Sequence, residues 1–252
     1  MNTGTGTRTA KSVAVVLFCI FTQSAVRAQI SLDLETGWVN TGYNRVRIPG
    51  DAGTRFSLSD DLHSDDGSYW RARLGYSVGP RHHASILIAP LTIKAQGTVD
   101  RDILFEDRTF PAGTPLRATY RFDSYRATYR YDWVRSERLT AGIGFTGKIR
   151  DAAIVLKDGA QSARNTNTGF VPLLHARVLW HLAERTGLLV EADALAAPQG
   201  RAEDVLVALS YECTDRVRLR CGYRLLEGGA DNDKVYTFAL FHYFVAGLNV
   251  TF

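Results

Sequence analysis

Residues Ser124-Tyr125-Arg126-Ala127-Thr128-Tyr129-Arg130-Tyr131-Asp132-Trp133-Val134 decide how this chain is read. In a strand, successive side chains point to opposite faces. One face then carries Tyr125, Ala127, Tyr129, Tyr131 and Trp133, and the other Ser124, Arg126, Thr128, Arg130 and Asp132. Taken alone, such a strand suits either a soluble sheet or a membrane barrel. The alternation recurs along the whole chain, however, and a barrel that is apolar outside and polar within accounts for all of it.

Ten segments carry this pattern: residues 30–40, 68–78, 83–96, 117–134, 138–150, 170–183, 187–197, 202–213, 216–227 and 234–252. The links between them alternate in length. Residues 41–67, 97–116 and 151–169 are long connections and 198–201 and 228–233 shorter ones, whereas 79–82, 135–137, 184–186 and 214–215 are tight turns. Tight turns on one side, longer loops on the other and an even strand count are how a transmembrane barrel is connected. The expected fold is therefore all-β, an antiparallel up-and-down transmembrane β-barrel of ten strands. The count becomes eight or twelve if segment 83–96, interrupted by Pro90, is misjudged or if residues 103–110 form another hairpin. A bulge is expected near Ala246-Gly247. Tyr76, Tyr129, Tyr131, Trp133, Trp180 and Tyr211 fall near the tight turns, and Trp38, Tyr69, Trp70 and Phe145 toward the long loops, as interfacial girdles do.

The first 28 residues differ in kind. Arg8 and Lys11 precede an apolar run from Val13 to Phe21, and Ala25-Val26-Arg27-Ala28 closes the segment. This is the make-up of a secretory signal peptide cleaved after Ala28. The run is too short for a membrane helix, which needs about 20 apolar residues. Phe18 before Cys19 argues against a lipoprotein signal, which carries a small residue there. No later window is apolar enough to span as a helix, since His175, Arg177 and His181 interrupt the best of them. Residues 29–252 are then one barrel domain. Removing Arg8, Lys11 and Arg27 with the leader lowers the formal charge from +4 to +1, so the basic balance implies no nucleic-acid partner. Two cysteines remain, Cys213 and Cys221; export makes a disulfide conceivable, but a tight turn at Thr214-Asp215 leaves them out of step.

Projected inward, the polar faces form a lumen charge network: Arg71, Arg73, Arg126, Arg130, Lys148, Arg150, Arg177, Arg218, Arg220 and Arg224, with Asp33, Glu35, Asp132, Glu191, Asp193 and Glu212. Buried charges must be paired, and a barrel of this size has an interior that side chains fill. A packed network is thus expected ahead of an open, anion-preferring pore. The acidic run Ser59 to Gly67 lacks the spacing of a calcium loop and reads as a solvated loop. His175 and His181, with Ser210 and Glu191, contain the residue types of a hydrolase triad but no local motif. No catalytic, cofactor-binding or metal-binding set is assigned.

In pattern, the chain resembles the small outer-membrane β-barrel proteins of Gram-negative bacteria. The most specific element is the end, Leu248-Asn249-Val250-Thr251-Phe252, with Leu248, Val250 and Phe252 on one face. It is similar to the terminal signature that the barrel-assembly machinery recognises in that class. The resemblance implies an outer-membrane location, outer-membrane lipid and that machinery as partners, and a non-enzymatic surface protein binding an external ligand. An outer-rim enzyme acting on lipid or peptide, or a narrow anion pore, is the alternative. Ten strands is also the count of the omptin proteases, but their acidic pair facing an Asp-His pair across the outer rim is not legible here.

Overall fold

The computed structural model describes residues 28–252, so the expected leader lies outside the described residues. Its elements are β1 (Ala28–Arg47), β2 (Phe56–Ser57), β3 (His63–Ser64), β4 (Gly67–Val78), β5 (His82–Ala89), β6 (Thr92–Thr98), β7 (Ile103–Phe105), β8 (Arg108–Phe110), β9 (Pro115–Arg135), β10 (Leu139–Lys157), β11 (Ser162–His181), β12 (Thr186–Ala197), β13 (Gly200–Glu212), β14 (Val217–Asp231) and β15 (Tyr236–Thr251). Each main strand pairs antiparallel with its sequence neighbour, and β1 pairs with β15 to close the sheet. Pro90, which has no N–H for the ladder, falls between β5 and β6; both lie along β9 and act as one interrupted strand. Ten strands close the barrel.

The outer wall is apolar and aromatic. Trp38, Trp70, Trp133, Phe145, Trp180, Tyr211 and Phe244 all stand exposed on it, Phe145 with 68% of its surface open. A continuous band of this kind is stable only where lipid is the solvent. Two residues depart from the expected girdles: Tyr69 points inward and donates to Glu35 Oε1 at 3.3 Å, and Phe145, expected toward the long loops, sits directly opposite Tyr129 of the tight-turn set.

Two strands change solvent along their length. On β9, Tyr125, Tyr129 and Tyr131 face out and Arg126 and Asp132 face in, but beyond Phe122 the buried inner residues are Tyr120, Ala118 and Leu116 while Arg117 and Arg121 turn outward. On β10 the inner row passes from Lys148 to Ile154 and Leu156. Beyond the lipid band the barrel therefore obeys the ordinary rule of apolar in and polar out. The long connection 48–66, carrying β2 and β3, supplies Phe56, Leu58 and Leu62 to this outer core, and the β7–β8 hairpin supplies Ile103, Phe105 and Phe110. That hairpin lies at residues 103–110 but forms its own two-stranded sheet, so it adds no barrel strand.

The third long connection is not a loop. β10 and β11 stay paired from Leu139↔Trp180 up to Lys157↔Ser162, leaving only residues 158–161 as the turn. Residues 151–157 and 162–169 hide this because Asp151, Arg164, Thr166 and Thr168 break the outer apolar stripe once the hairpin leaves lipid. The irregularity expected at Ala246-Gly247 falls instead on the partner strand, between Thr41 and Tyr43. Cys213 and Cys221 are both free. Cys221 sits opposite Leu209 in the ladder and faces outward, while Cys213 lies at the turn.

Candidate functional site

The sequence-selected charges lie on inner faces and fall into two tiers. Nearer the tight turns, Arg218 pairs with Glu212, Arg220 with Asp33 (Nη2 to Oδ1, 2.8 Å), and Arg130 Nε with Asp132 Oδ1 at 2.7 Å. Arg73 on β4 reaches Glu191 on β12 at 2.6 Å, straight across the barrel. Arg177 approaches the same glutamate more loosely, at 3.8 Å.

The second tier crosses the lumen near mid-height. Asp204 on β13 accepts from Arg71 of β4 at 3.0 Å, lies 2.7 Å from Arg126 of β9, and is bonded to Arg224 of β14. Glu35 of β1 accepts from Arg224 Nε at 2.9 Å and Nη2 at 2.8 Å. Asp193 of β12 accepts from Arg126 Nη1 and Thr146 Oγ1, both at 2.8 Å, and lies 2.7 Å from His175 Nδ1. Arg71, Arg126 and Arg224 against Glu35, Asp193 and Asp204 make three positive and three negative charges, a formally neutral layer. All six are buried, Asp204 being 3% exposed. Tyr69 and Tyr243, edge to face at a 4.7 Å centroid distance, lie next to it with the buried Val39 and Val245.

Asp204 is the residue that sequence reading missed. It stands two positions before Leu206 on the inner row of β13, and carrying the register one step further would have found it. Leu206, an inward leucine, obscured that row.

Two network members stand apart. Arg150 bonds Asn167 and leaves its Nε without a partner. Lys148 is 3% exposed, yet among the described residues no carboxylate lies within ion-pair distance and no hydrogen bond engages it. Its Nζ sits 4.7 Å from the centre of the Phe122 ring.

Cavities remain on both sides of the closed layer. Toward the tight turns is a polar vestibule of ≈ 420 Å³ lined by Arg73, Asp132, Arg177, Glu191 and Arg218, among others. Toward the loops is a mostly apolar cavity of ≈ 300 Å³ between the β9–β11 wall and the β13–β15 wall.

The hydrolase set is not assembled. His175 takes Asp193 rather than Glu191; Ser210 Oγ donates to the Gly187 carbonyl at 3.2 Å; Glu191 is committed to Arg73. His83, at the start of β5 as the sequence reading places it, also connects two inner residues. Its Nδ1 is 2.8 Å from Ser77 Oγ, and its Nε2 lies 2.8 Å from Asp132 Oδ2 without hydrogen-bond alignment. All three lie on neighbouring strands at the tight-turn end, which makes this a cross-strand brace. Among the described residues no group of three or more His, Cys, Asp or Glu is placed to hold a metal.

In the outer loops the acidic run is held by its own partners. Asp61 accepts from Ser57 N–H at 2.8 Å and from Arg101 Nη2 at 2.7 Å, and Asp66 accepts from Asn40 at 2.6 Å. Burial acts to raise the Asp61 carboxyl, but the bonds from Arg101 and Ser57 outweigh it and hold it below the usual carboxylate range. This pair ties connection 48–66 to connection 99–114.

No protein-family model matches the chain, and no curated protein matches it in sequence. In fold it is similar to the outer membrane protease OmpT of Escherichia coli, with a TM-score of 0.62 at 10% identity, covering 92% of this chain and 99% of that one. Weaker likenesses are to the transport unit of the autotransporter AIDA-I of Escherichia coli (TM-score 0.43, 8% identity, 93% of this chain and 94% of that one) and to the attachment invasion locus protein Ail of Yersinia pestis (0.40, 8%, 88% and 98%). The barrel is thus of the Gram-negative outer-membrane type, a fold that serves more than one function.

Proposed function

We propose that the protein is exported to the Gram-negative outer membrane, sits there with its tight turns toward the periplasm, and acts at its loop-bearing end as a non-enzymatic binding protein for an external partner. The lumen on this reading is a structural filling and not a path. The neutral Glu35–Arg71–Arg126–Asp193–Asp204–Arg224 layer carries the argument, because it joins strands on opposite sides of the barrel with every charge paired. Ion passage would require breaking buried pairs, each costing about 3–5 kcal/mol. The extramembrane core built by connections 48–66 and 99–114 supports the outer end as the working part, since loops held on a rigid scaffold are where binding residues concentrate. Leu248, Val250 and Phe252 fit the role of an assembly signal: β15 is the closing strand, and Phe252 is exposed at its end.

The test is electrical. Purified, refolded protein inserted in planar bilayers should give a flat trace at either polarity between pH 5 and pH 8. Resolved single-channel steps in the unaltered protein would overturn the reading in favour of a narrow pore.

A further inference from the structure

β11 and β12 pair only from Leu174↔Ala194 to His181↔Gly187. Beyond that point β11 continues with β10 alone and β12 with β13 alone, so a seam opens in the wall. Pro172 lies two residues past the last pair, where a missing N–H cannot extend a ladder. The seam starts inside the lipid-facing band, because Phe170 beside it still points outward with 69% of its surface exposed.

The outer cavity lies directly behind this seam. Phe170 and Pro172 on one edge and Leu195 and Ala197 on the other belong to its lining, with Tyr120 and Phe241 deeper in. Its charged groups are Lys148, Arg150, Arg201 and Glu227. Arg201 and Glu227 neutralise each other through a two-pronged pair at 2.7 and 2.8 Å. Two positive charges are left over. The neutral layer below has no carboxylate to spare for Lys148, and a buried ammonium without a counter-charge is expensive. An apolar chamber with an unpaired cation in its wall and a side door at the lipid boundary suits one kind of occupant.

We infer that this cavity binds an amphiphile carrying a single carboxylate or phosphate, its anion on Lys148 with Arg150 close by and its apolar body against Tyr120, Phe122 and Phe241. The volume, ≈ 300 Å³, sits at the lower end of the roughly 300–1,000 Å³ range of small-molecule sites. The same chemistry has two sources, a free amphiphile from outside or a lipid of the outer leaflet entering by the seam. The inference deepens the external-binding reading and rests on it only for which end faces outward; a silent bilayer trace and an empty cavity are separate results.

Dodecanoate and neutral dodecanol are the probes, titrated calorimetrically into the refolded full chain in a non-ionic detergent. Dodecanoate should bind saturably, and Lys148→Met should weaken it by at least about tenfold while changing dodecanol little, because only the charged contact is lost. Ala152→Phe, which fills the chamber from β10 without touching the cation, should abolish both. In a second arm, protein purified from membranes is examined by native mass spectrometry for a bound anionic lipid that Lys148→Met loses. Dodecanoate binding with no retained lipid identifies a free amphiphile, and retained lipid identifies the leaflet as source. Dodecanoate affinity equal in Lys148→Met and the parent, or unaffected by Ala152→Phe, overturns the inference.

Discussion

Asp204→Ala is the sharpest probe of the mid-height layer. The carboxylate is engaged by Arg71, Arg126 and Arg224 at once, so its loss turns a neutral cluster into one of net charge +1 inside a buried interior. Removing one partner of a buried ionic set costs about 3–5 kcal/mol. Here each arginine keeps another acid, Glu35 or Asp193, and water can enter from the vestibule, so the lower end, about 3 kcal/mol, is expected. With a urea slope of roughly 3 kcal/mol/M the unfolding midpoint should fall by about 1 M. The assay is reversible urea unfolding of the barrel in lipid vesicles, followed by tryptophan fluorescence and by heat-modifiable migration on gels.

Two companions make that number interpretable. Glu212→Ala removes a pair in which each side chain keeps about a third of its surface exposed, and such a pair contributes about 0–1 kcal/mol. Adding Arg126→Met to Asp204→Ala restores neutrality and should recover part of the loss. Equal midpoints for Asp204→Ala and Glu212→Ala would refute the layer as a stabilising unit.

The carboxyl-terminal residue and the outer loops give further expectations. Deleting Phe252 should lower the amount of folded, membrane-inserted protein in cells severalfold while leaving refolding of the purified chain in detergent unchanged; equal loss in both settings would make the residue a packing element and not an assembly signal. The Asp61–Arg101 tie should respond to acid. Its folded-state carboxyl is held below the ordinary value, so the contribution is complete above about pH 4, the unfolded carboxylate value, and is lost only as pH falls through the folded one. Hydrogen exchange in residues 99–102 should therefore be flat from pH 7 to pH 4, once corrected for intrinsic rate, and accelerate below that. Asp61→Asn should loosen the same segment already at neutral pH, visible as faster trypsin cleavage after Arg101.

Much of the barrel was legible because period-two patterning is strict wherever one face meets lipid and the other meets charge. The stretch 124–134 shows it: Asp132 and Trp133 are adjacent, one 2% and the other 60% exposed. Legibility failed where the solvent changed. Above Arg150 on β10 the strand continues, but its apolar residues cross to the inner face, so a search for apolar-out segments stops early. That is why residues 151–169 read as a loop. Pairing was also out of reach. Alternation tells which residues point inward, but not that Asp204 gathers three arginines or that Lys148 gathers no acid, since Arg71 and Arg126 reach Asp204 from four strands away around the barrel.

The same separation explains how one molecule can be closed and yet have a site. A lumen filled by a neutral ionic layer has no reason to carry extra cations just above it. Evenly balanced charge would have served packing alone, and in the vestibule several arginines are indeed matched to acids, Arg73 to Glu191 across the barrel, Arg220 to Asp33 two strands away and Arg130 to Asp132 on its own strand. Lys148 breaks that economy. A methionine there would pack against Phe122 with no ion to desolvate, whereas the lysine holds an ammonium at the cavity wall with no carboxylate among the described residues in ion-pair reach. The seam between β11 and β12 leaves backbone unpaired from within the lipid-facing band outward, a second cost at the same place. Two unrelated departures from a self-sufficient barrel meet in one chamber, and an anionic amphiphile supplies what both lack: a counter-charge for the ammonium and apolar cover for the gap.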